Sequence, residues 1–389
     1  LPDGRFPPHT GLSALRLQHR QRTANHRERF ALAFRIIRTQ TGGDMATLSD
    51  LPTPDSDTQR PTLKTIAAAT GFAIATVSRA LKDAPDIGED TKRIVRETAA
   101  QLGYRPNRAG VRLRTGKTNV IALVLSTETD VMNHTSRLIY SIANALRGTA
   151  YHMVVMPFFP DQDPMDPIRY IVETESADGI ILNQTKEDDP RVRYMHDHGF
   201  PFAAHGRTAM GIDHPYFDFD NEAFGRLGAR AMIERGRRRL LLVAPPRAHM
   251  YARHMTFGFS DEAALLGVPF EVAANVTSDS GGEAVEAAVA ARFALPNAPD
   301  GILVGSTTAA MATIAGVEQS GRVLGRDFDV VAKEAIAVLR RFRKDILIVR
   351  EDVGRAGEFL ARALVAEIDK RDWMARQGLE VPVKVEQGR

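Results

Sequence analysis

TLKTIAAATGFAIATVSRALK, residues 62–82, is the stretch on which the reading of this chain turns. Thr62 has the chemistry of an N-cap, and Leu63, Ile66 and Ala67 follow at helical spacing. Gly71 ends that helix in a tight turn. Phe72, Val77 and Leu81 then resume an apolar helical row, with Thr76, Ser78, Arg79 and Lys82 on the other faces. Two short helices joined by a tight turn containing glycine form a helix-turn-helix. Its second helix would carry small or polar side chains into a major groove, with Arg and Lys near its end. A third helix is predicted over about Glu89–Leu102, with Ile94, Val95, Ala99 and Leu102 as its buried stripe and Gly103 as its stop.

Charge concentrates around this stretch. Residues 1–60 hold nine arginines against six acids, residues 61–118 eleven bases against five acids, and residues 119–389 31 bases against 37 acids. A small basic segment joined to a large acidic body suits a nucleic-acid-binding head. The 389 residues suggest two or three domains. The absence of cysteine excludes disulfides, thiolate metal sites and a cysteine nucleophile. No apolar run has the length of a membrane span, and Arg35 and Arg38 interrupt the FALAFRII segment, so no membrane association and a cytoplasmic, nucleoid-associated location are expected. Residues 1–60 lack sustained periodicity and read as a disordered Arg/Pro-rich extension, with Met45 expected as the native start.

Residues 119–389 alternate strand and helix. Apolar strands are predicted at Val120–Leu125, Tyr151–Met156, Gly179–Leu182, Pro201–Ala204, Leu240–Val243, Gly301–Val304 and Phe328–Val331, with helices between them. Repeated β-α units with apolar strands imply parallel sheets covered on both faces. The length favours two lobes, and a closed eight-fold barrel is the competing α/β arrangement. Motifs for catalysis and metal binding fail. His196 and His198, and His249 and His254, lack the HExxH arrangement, and neither a phosphate loop nor a GxSxG elbow occurs. No catalytic residue, metal or cofactor is expected.

Residues 62–82, the TKRIV segment (91–95) and LGYRPNRAGVRLRTGKT (102–118) together resemble the DNA-binding head and hinge of the lactose-repressor/galactose-repressor (LacI/GalR) family of bacterial regulators. The resemblance extends over about residues 62–389. It implies an α/β fold class: a small all-α helix-turn-helix head (61–106), a hinge helix and linker (107–118), and a two-lobed periplasmic-binding-protein-like type I body with parallel sheets (119–389). The barrel is thereby disfavoured. ADGIIL (177–182), FDFDNEAFGRLGARAMIERGRRRLLLV (217–243) and VREDVGRAGEFLARAL (349–364) match strands, crossovers and helices of that body, and Val381–Val385 fits its closing strand.

The resemblance also assigns roles. Ile74, Ala75 and Arg79 would face base edges, and Thr62, Thr76, Ser78 and Asn107 would meet phosphates. Leu113, in a short helix over Asn107–Arg114 formed on DNA, would wedge between base steps in the minor groove. Two departures bear on stability. Ala73 stands where a capping Ser is usual, and Gly110 interrupts the hinge helix, each costing about 1 kcal/mol. In the interlobe cleft, Glu334, Ser306, Thr307 and Arg253 are candidates from the second lobe, and His205, Arg207, Asn183 and Glu128 from the first. Hydroxyls and a carboxylate suit a polyhydroxylated effector. The expected function is a transcriptional regulator of carbohydrate utilisation, most simply a repressor. It would bind double-stranded palindromic operator DNA as a homodimer and respond to a sugar or sugar derivative. The alternatives are a solute-binding protein or a sugar-processing α/β enzyme.

Overall fold

The head is built from local signals. In a computed structural model of the protein, which describes residues 61–105, 112, 116–127, 132–370 and 376–387, helix α1 spans Leu63–Thr70, α2 Ile74–Ala80 and α3 Glu89–Gln101. Thr62 caps α1. Its Oγ1 accepts from the Thr65 N–H at 3.3 Å, and Thr65 Oγ1 accepts from the Thr62 N–H at 3.1 Å. Gly71 closes α1 at φ +73°, a conformation that costs a glycine nothing. Ile66, Val77, Ala80, Val95 and Ala99 form the head core, with Leu63, Phe72, Leu81, Leu102 and Tyr104 around it.

The buried stripe of α3 is corrected at one position. Ile94 is 37% exposed, and Lys92 instead lies in the buried row with Val95 and Ala99. Positions 92, 95 and 99 share one helical face, while 94 is turned away from it. The Lys92 stem packs inward, and its ammonium reaches Glu89 at 2.7 Å and Asp83 at 3.0 Å at the rim.

The chain divides after Arg105 into the head and a larger unit. The larger unit contains two six-stranded sheets. The first runs in the order β11-β5-β4-β3-β1-β2, from β1 (Val120–Ser126), β2 (His152–Phe158), β3 (Gly179–Leu182), β4 (Phe202–His205), β5 (Tyr216–Phe219) and β11 (Gln377–Glu380), all parallel. Helices α4 (Met132–Ala145), α5 (Asp166–Thr174), α6 (Pro190–Asp197) and α12 (Val353–Ile368) belong to this lobe. The second sheet runs β12-β10-β9-β8-β6-β7, from β6 (Leu240–Val243), β7 (Phe270–Val272), β8 (Gly301–Val304), β9 (Asp329–Glu334), β10 (Leu347–Arg350) and β12 (Glu386–Gln387). Only β12 is antiparallel within it. Its helices are α7 (Asn221–Glu234), α8 (Met250–Leu265), α9 (Gly282–Phe293), α10 (Thr307–Glu318) and the short α11 (Leu339–Phe342). Each sheet has an apolar cluster on both faces, so the two-lobed doubly wound arrangement holds and a closed barrel does not.

The chain passes between the lobes three times: after β5, after β10 and after β11. The third passage replaces the strand expected at Val381–Val385. That run forms no strand, Val383 is 85% exposed, and Pro382 has no N–H for a ladder. The paired segments are Gln377–Glu380 in one lobe and Glu386–Gln387 in the other. None of the described helices is long and apolar enough to cross a membrane.

Candidate nucleic-acid face and interlobe cleft

On the head, α2 buries Val77 and Ala80 and turns its opposite side outward. Ile74 is 44% exposed, Ala75 and Arg79 are exposed, and Thr76 and Ser78 are half-buried. Residues 74, 75, 78 and 79 share one helical face. Ala73 occupies the N-cap position with no side-chain hydrogen bond, so the first turn of α2 presents uncapped N–H groups. Arg79 forms an ion pair with Asp86 in the loop before α3. Thr62 is exposed, but its hydroxyl already serves the capping box. Asn107, Leu113 and Glu128 lie outside the described residues.

In the larger unit, six of the eight expected cleft residues fall at or just beyond the carboxyl ends of strands, where open α/β sheets bind ligands. Asn183 follows β3, His205 ends β4, Arg207 follows it, Ser306 and Thr307 follow β8, and Glu334 ends β9. Their surroundings differ. Ser306 caps α10, accepting from the Ala309 N–H at 3.2 Å and donating to the Ser278 carbonyl at 2.9 Å; Thr307 is buried beside it. Glu334 is buried, and its Oε1 accepts from the Val338 and Leu339 N–H groups at 2.8 and 2.7 Å. Both residues thus have local structural work. Arg253, on α8 of the second lobe, pairs across the lobes with Glu187. Nearby, the Met250 N–H donates to the Thr185 carbonyl at 2.8 Å.

Several buried polar atoms have no protein partner: Asn183 Oδ1, His254 Nδ1 and Glu334 Oε2. Buried polar groups left unpaired are costly, and such atoms mark places a ligand can satisfy. Burial, with the Arg207 charge, pushes the His254 imidazole below its ordinary value. Arg207 Nε stands 3.0 Å from Asp218 Oδ2. Burial nevertheless outweighs that guanidinium and raises the Asp218 carboxyl to about 7.

Of a second group, only His205 was expected from the sequence. Lys333, in β9, reaches Glu351 Oε2 at 3.0 Å and Asn221 Oδ1 at 3.2 Å, and its ammonium lies over the rings of Phe219 and Tyr251. His134 Nε2 is 3.5 Å from Glu351 Oε1, and the His134 and His205 rings stack at 5.0 Å. Burial disfavours the Glu351 anion, but Lys333 and His134 outweigh it and hold the carboxyl well below the usual range. Burial, then His134, lowers His205 to about 3. One signal was readable: a lysine inside the apolar strand DVVAKE needs a buried counter-charge.

Residues 62–107 match the family described as bacterial regulatory proteins, lacI family. Residues 118–365 match periplasmic binding proteins and sugar binding domain of LacI family. Over 267 residues the chain is 30% identical to the HTH-type transcriptional regulator RafR of Escherichia coli, covering 68% of this chain and 79% of that one. It is 27% identical to AglR of Rhizobium meliloti (strain 1021) over 323 residues, covering 79% and 87%. Its fold is similar to that of the transcriptional regulator CelR–cellobiose complex, with TM-score 0.62, 22% identity, and 85% of this chain and 100% of that one covered. It is also similar to the lac repressor dimer bound to operator and the anti-inducer ONPF, with TM-score 0.75, 18% identity, and 85% and 99% covered.

Proposed function

Since the chain belongs to the LacI family of DNA-binding bacterial transcriptional regulators, we propose that it represses a carbohydrate-utilisation operon through a palindromic operator, and that a sugar in the interlobe cleft changes its operator affinity. The observation that carries the DNA-reading role is the exposed face of α2, where an isoleucine, an alanine and an arginine stand free of the head core. Arg79 is the base-reading donor, suited to bidentate contact with guanine, while Ile74 and Ala75 offer apolar contact to a thymine methyl. Exposed ion pairs contribute about 0–1 kcal/mol, so the Asp86 partner can be exchanged for a base edge. Thr62, Thr76, Ser78 and Asn107 meet phosphates, and Leu113 is the minor-groove wedge of a hinge at residues 107–118.

The unpaired atoms of Asn183, His254 and Glu334 support a polar ligand in the cleft, with Arg207 and Arg253 as further donors. CelR is bound to cellobiose in its structure, and a mono- or oligosaccharide is the ligand class proposed here. The ligand acts by differential affinity for two lobe arrangements, without chemical turnover. A second copy of the chain is the partner for the apolar edge of the first lobe, where Tyr140, Val154, Val155 and Phe159 are exposed on α4, on edge strand β2 and just beyond it.

The test is operator affinity measured with and without each member of a sugar panel. One sugar that shifts operator affinity at least fivefold while leaving non-specific binding unchanged is the expected result. Turnover of the sugar, or no effect from any member on a protein that binds its operator, would overturn the effector reading.

A further inference from the structure

Two histidines and a glutamate far apart in the sequence converge at the start of the second crossover. His134 lies in the first turn of α4, His205 ends β4, and Glu351 follows β10. Their candidate ligand atoms, one from each residue, all lie within 4.8 Å of one another. We propose that His134, His205 and Glu351 bind one divalent transition-metal ion of the Zn²⁺ class.

The donor set fits that chemistry. Two imidazoles and one carboxylate form a recurrent three-ligand zinc set, which leaves a fourth position for water or a ligand oxygen. Metal binding needs deprotonated donors. Metal–ligand bonds of about 2.0–2.2 Å place tetrahedral donor atoms roughly 3.3–3.6 Å apart. His134 Nε2 and Glu351 Oε1, at 3.5 Å, already stand at that separation. No separation among the three ligand atoms exceeds 4.8 Å, and His134 is only half-buried in the first turn of its helix.

Lys333 is the opposing charge. It contacts the other carboxylate oxygen, Oε2, and is held there by Asn221 and by two aromatic faces. Glu351 Oε1 therefore remains directed toward His134. Arg207 is engaged with Asp218. A bound ion would tie the second crossover to β4 and α4, two elements of the first lobe. The proposal is independent of the identity of any sugar effector.

The probe is Co²⁺, titrated into chelator-stripped full-length protein and followed by its visible ligand-field bands. One equivalent should bind per chain and be displaced by Zn²⁺. His134→Ala, His205→Ala and Glu351→Gln should each weaken binding at least about tenfold, the scale on which even outer-shell changes act. His196→Ala, at an exposed histidine elsewhere, should leave the titration unchanged. Thermal melting without metal checks that each variant is folded. If loss of the Lys333 partner unfolds Glu351→Gln, the half-buried His134→Ala carries the test. No saturable Co²⁺ binding, or saturable binding unaffected by folded His134 and His205 variants, would overturn the proposal and leave the histidines as a packed pair.

Discussion

Lys333 Nζ and Glu351 Oε2 stand 3.0 Å apart with side chains only 13% and 5% exposed, so strand β9 of one lobe and the crossover to the other are joined by a buried ion pair. Removing one member of such a pair leaves a charge without compensation. Lys333→Met should therefore destabilise the protein by about 3–5 kcal/mol in urea unfolding with chelator present. Replacing both residues, as Lys333→Met with Glu351→Leu, should recover much of that loss. A loss below about 1 kcal/mol for the single variant would mean the pair is solvated and carries little.

Arg79→Ala should weaken binding to the selected operator by about 1–3 kcal/mol and relax preference at one base position. Binding to random duplex should fall much less. Equal loss on both DNAs would reduce Arg79 to a phosphate contact.

Gly225 and Gly258 lie where α7 and α8 cross. A Cβ on Gly258 would overlap the Glu222 carbonyl, and one on Gly225 the Met255 carbonyl. Gly258→Ala should cost at least about 1–3 kcal/mol, because backbone cannot step aside as a side chain can. Gly282→Ala provides the contrast, since its nearest atoms would stand 4.0 Å away. It should be neutral or stabilising by up to about 1 kcal/mol. Similar losses for the two would contradict the close helix crossing.

His249 precedes α8 at the lobe junction, its ring stacked on Tyr251 at 5.3 Å. Burial, then the charges of Arg191 and Lys186, lowers it from 6.5 to about 4 against the opposing pull of Asp189. Between those pH values the unfolded chain takes up a proton that the folded chain refuses. The contribution is present above 6.5 and is lost as pH falls toward 4. Relative to His249→Gln, the wild type should lose at most about 1.4 kcal/mol per pH unit in that window, less what solvent screens at a half-buried ring. Parallel stability curves for the two proteins would contradict the lowered value.

What could be read from the sequence was local. Gly71, Thr62 and the spacing of Ile66, Val77 and Val95 specify the head because each is a cap, a turn or a helical spacing set by near neighbours in the chain. Gly179–Leu182, Leu240–Val243 and Gly301–Val304 begin and end where their apolar runs do, as strands buried on both faces require. Strand β5 was hidden because Asp218 interrupts its apolar run, and Val381–Val385 misled because apolarity alone does not supply a pairing partner. Glu334 was legible as a cleft carboxylate but not as the acceptor for two N–H groups at the start of α11. The meeting of His134, His205, Lys333 and Glu351 depends on how the lobes and crossovers pack, which no short-range pattern encodes.

The most direct test is selection of the full-length protein against a pool of random duplex DNA. One two-fold-symmetric site should be enriched and bound at least about 10³-fold more tightly than the unselected pool, with affinity falling steeply as salt rises. Uniform binding across the pool, or no binding at low salt by folded protein, would contradict that expectation.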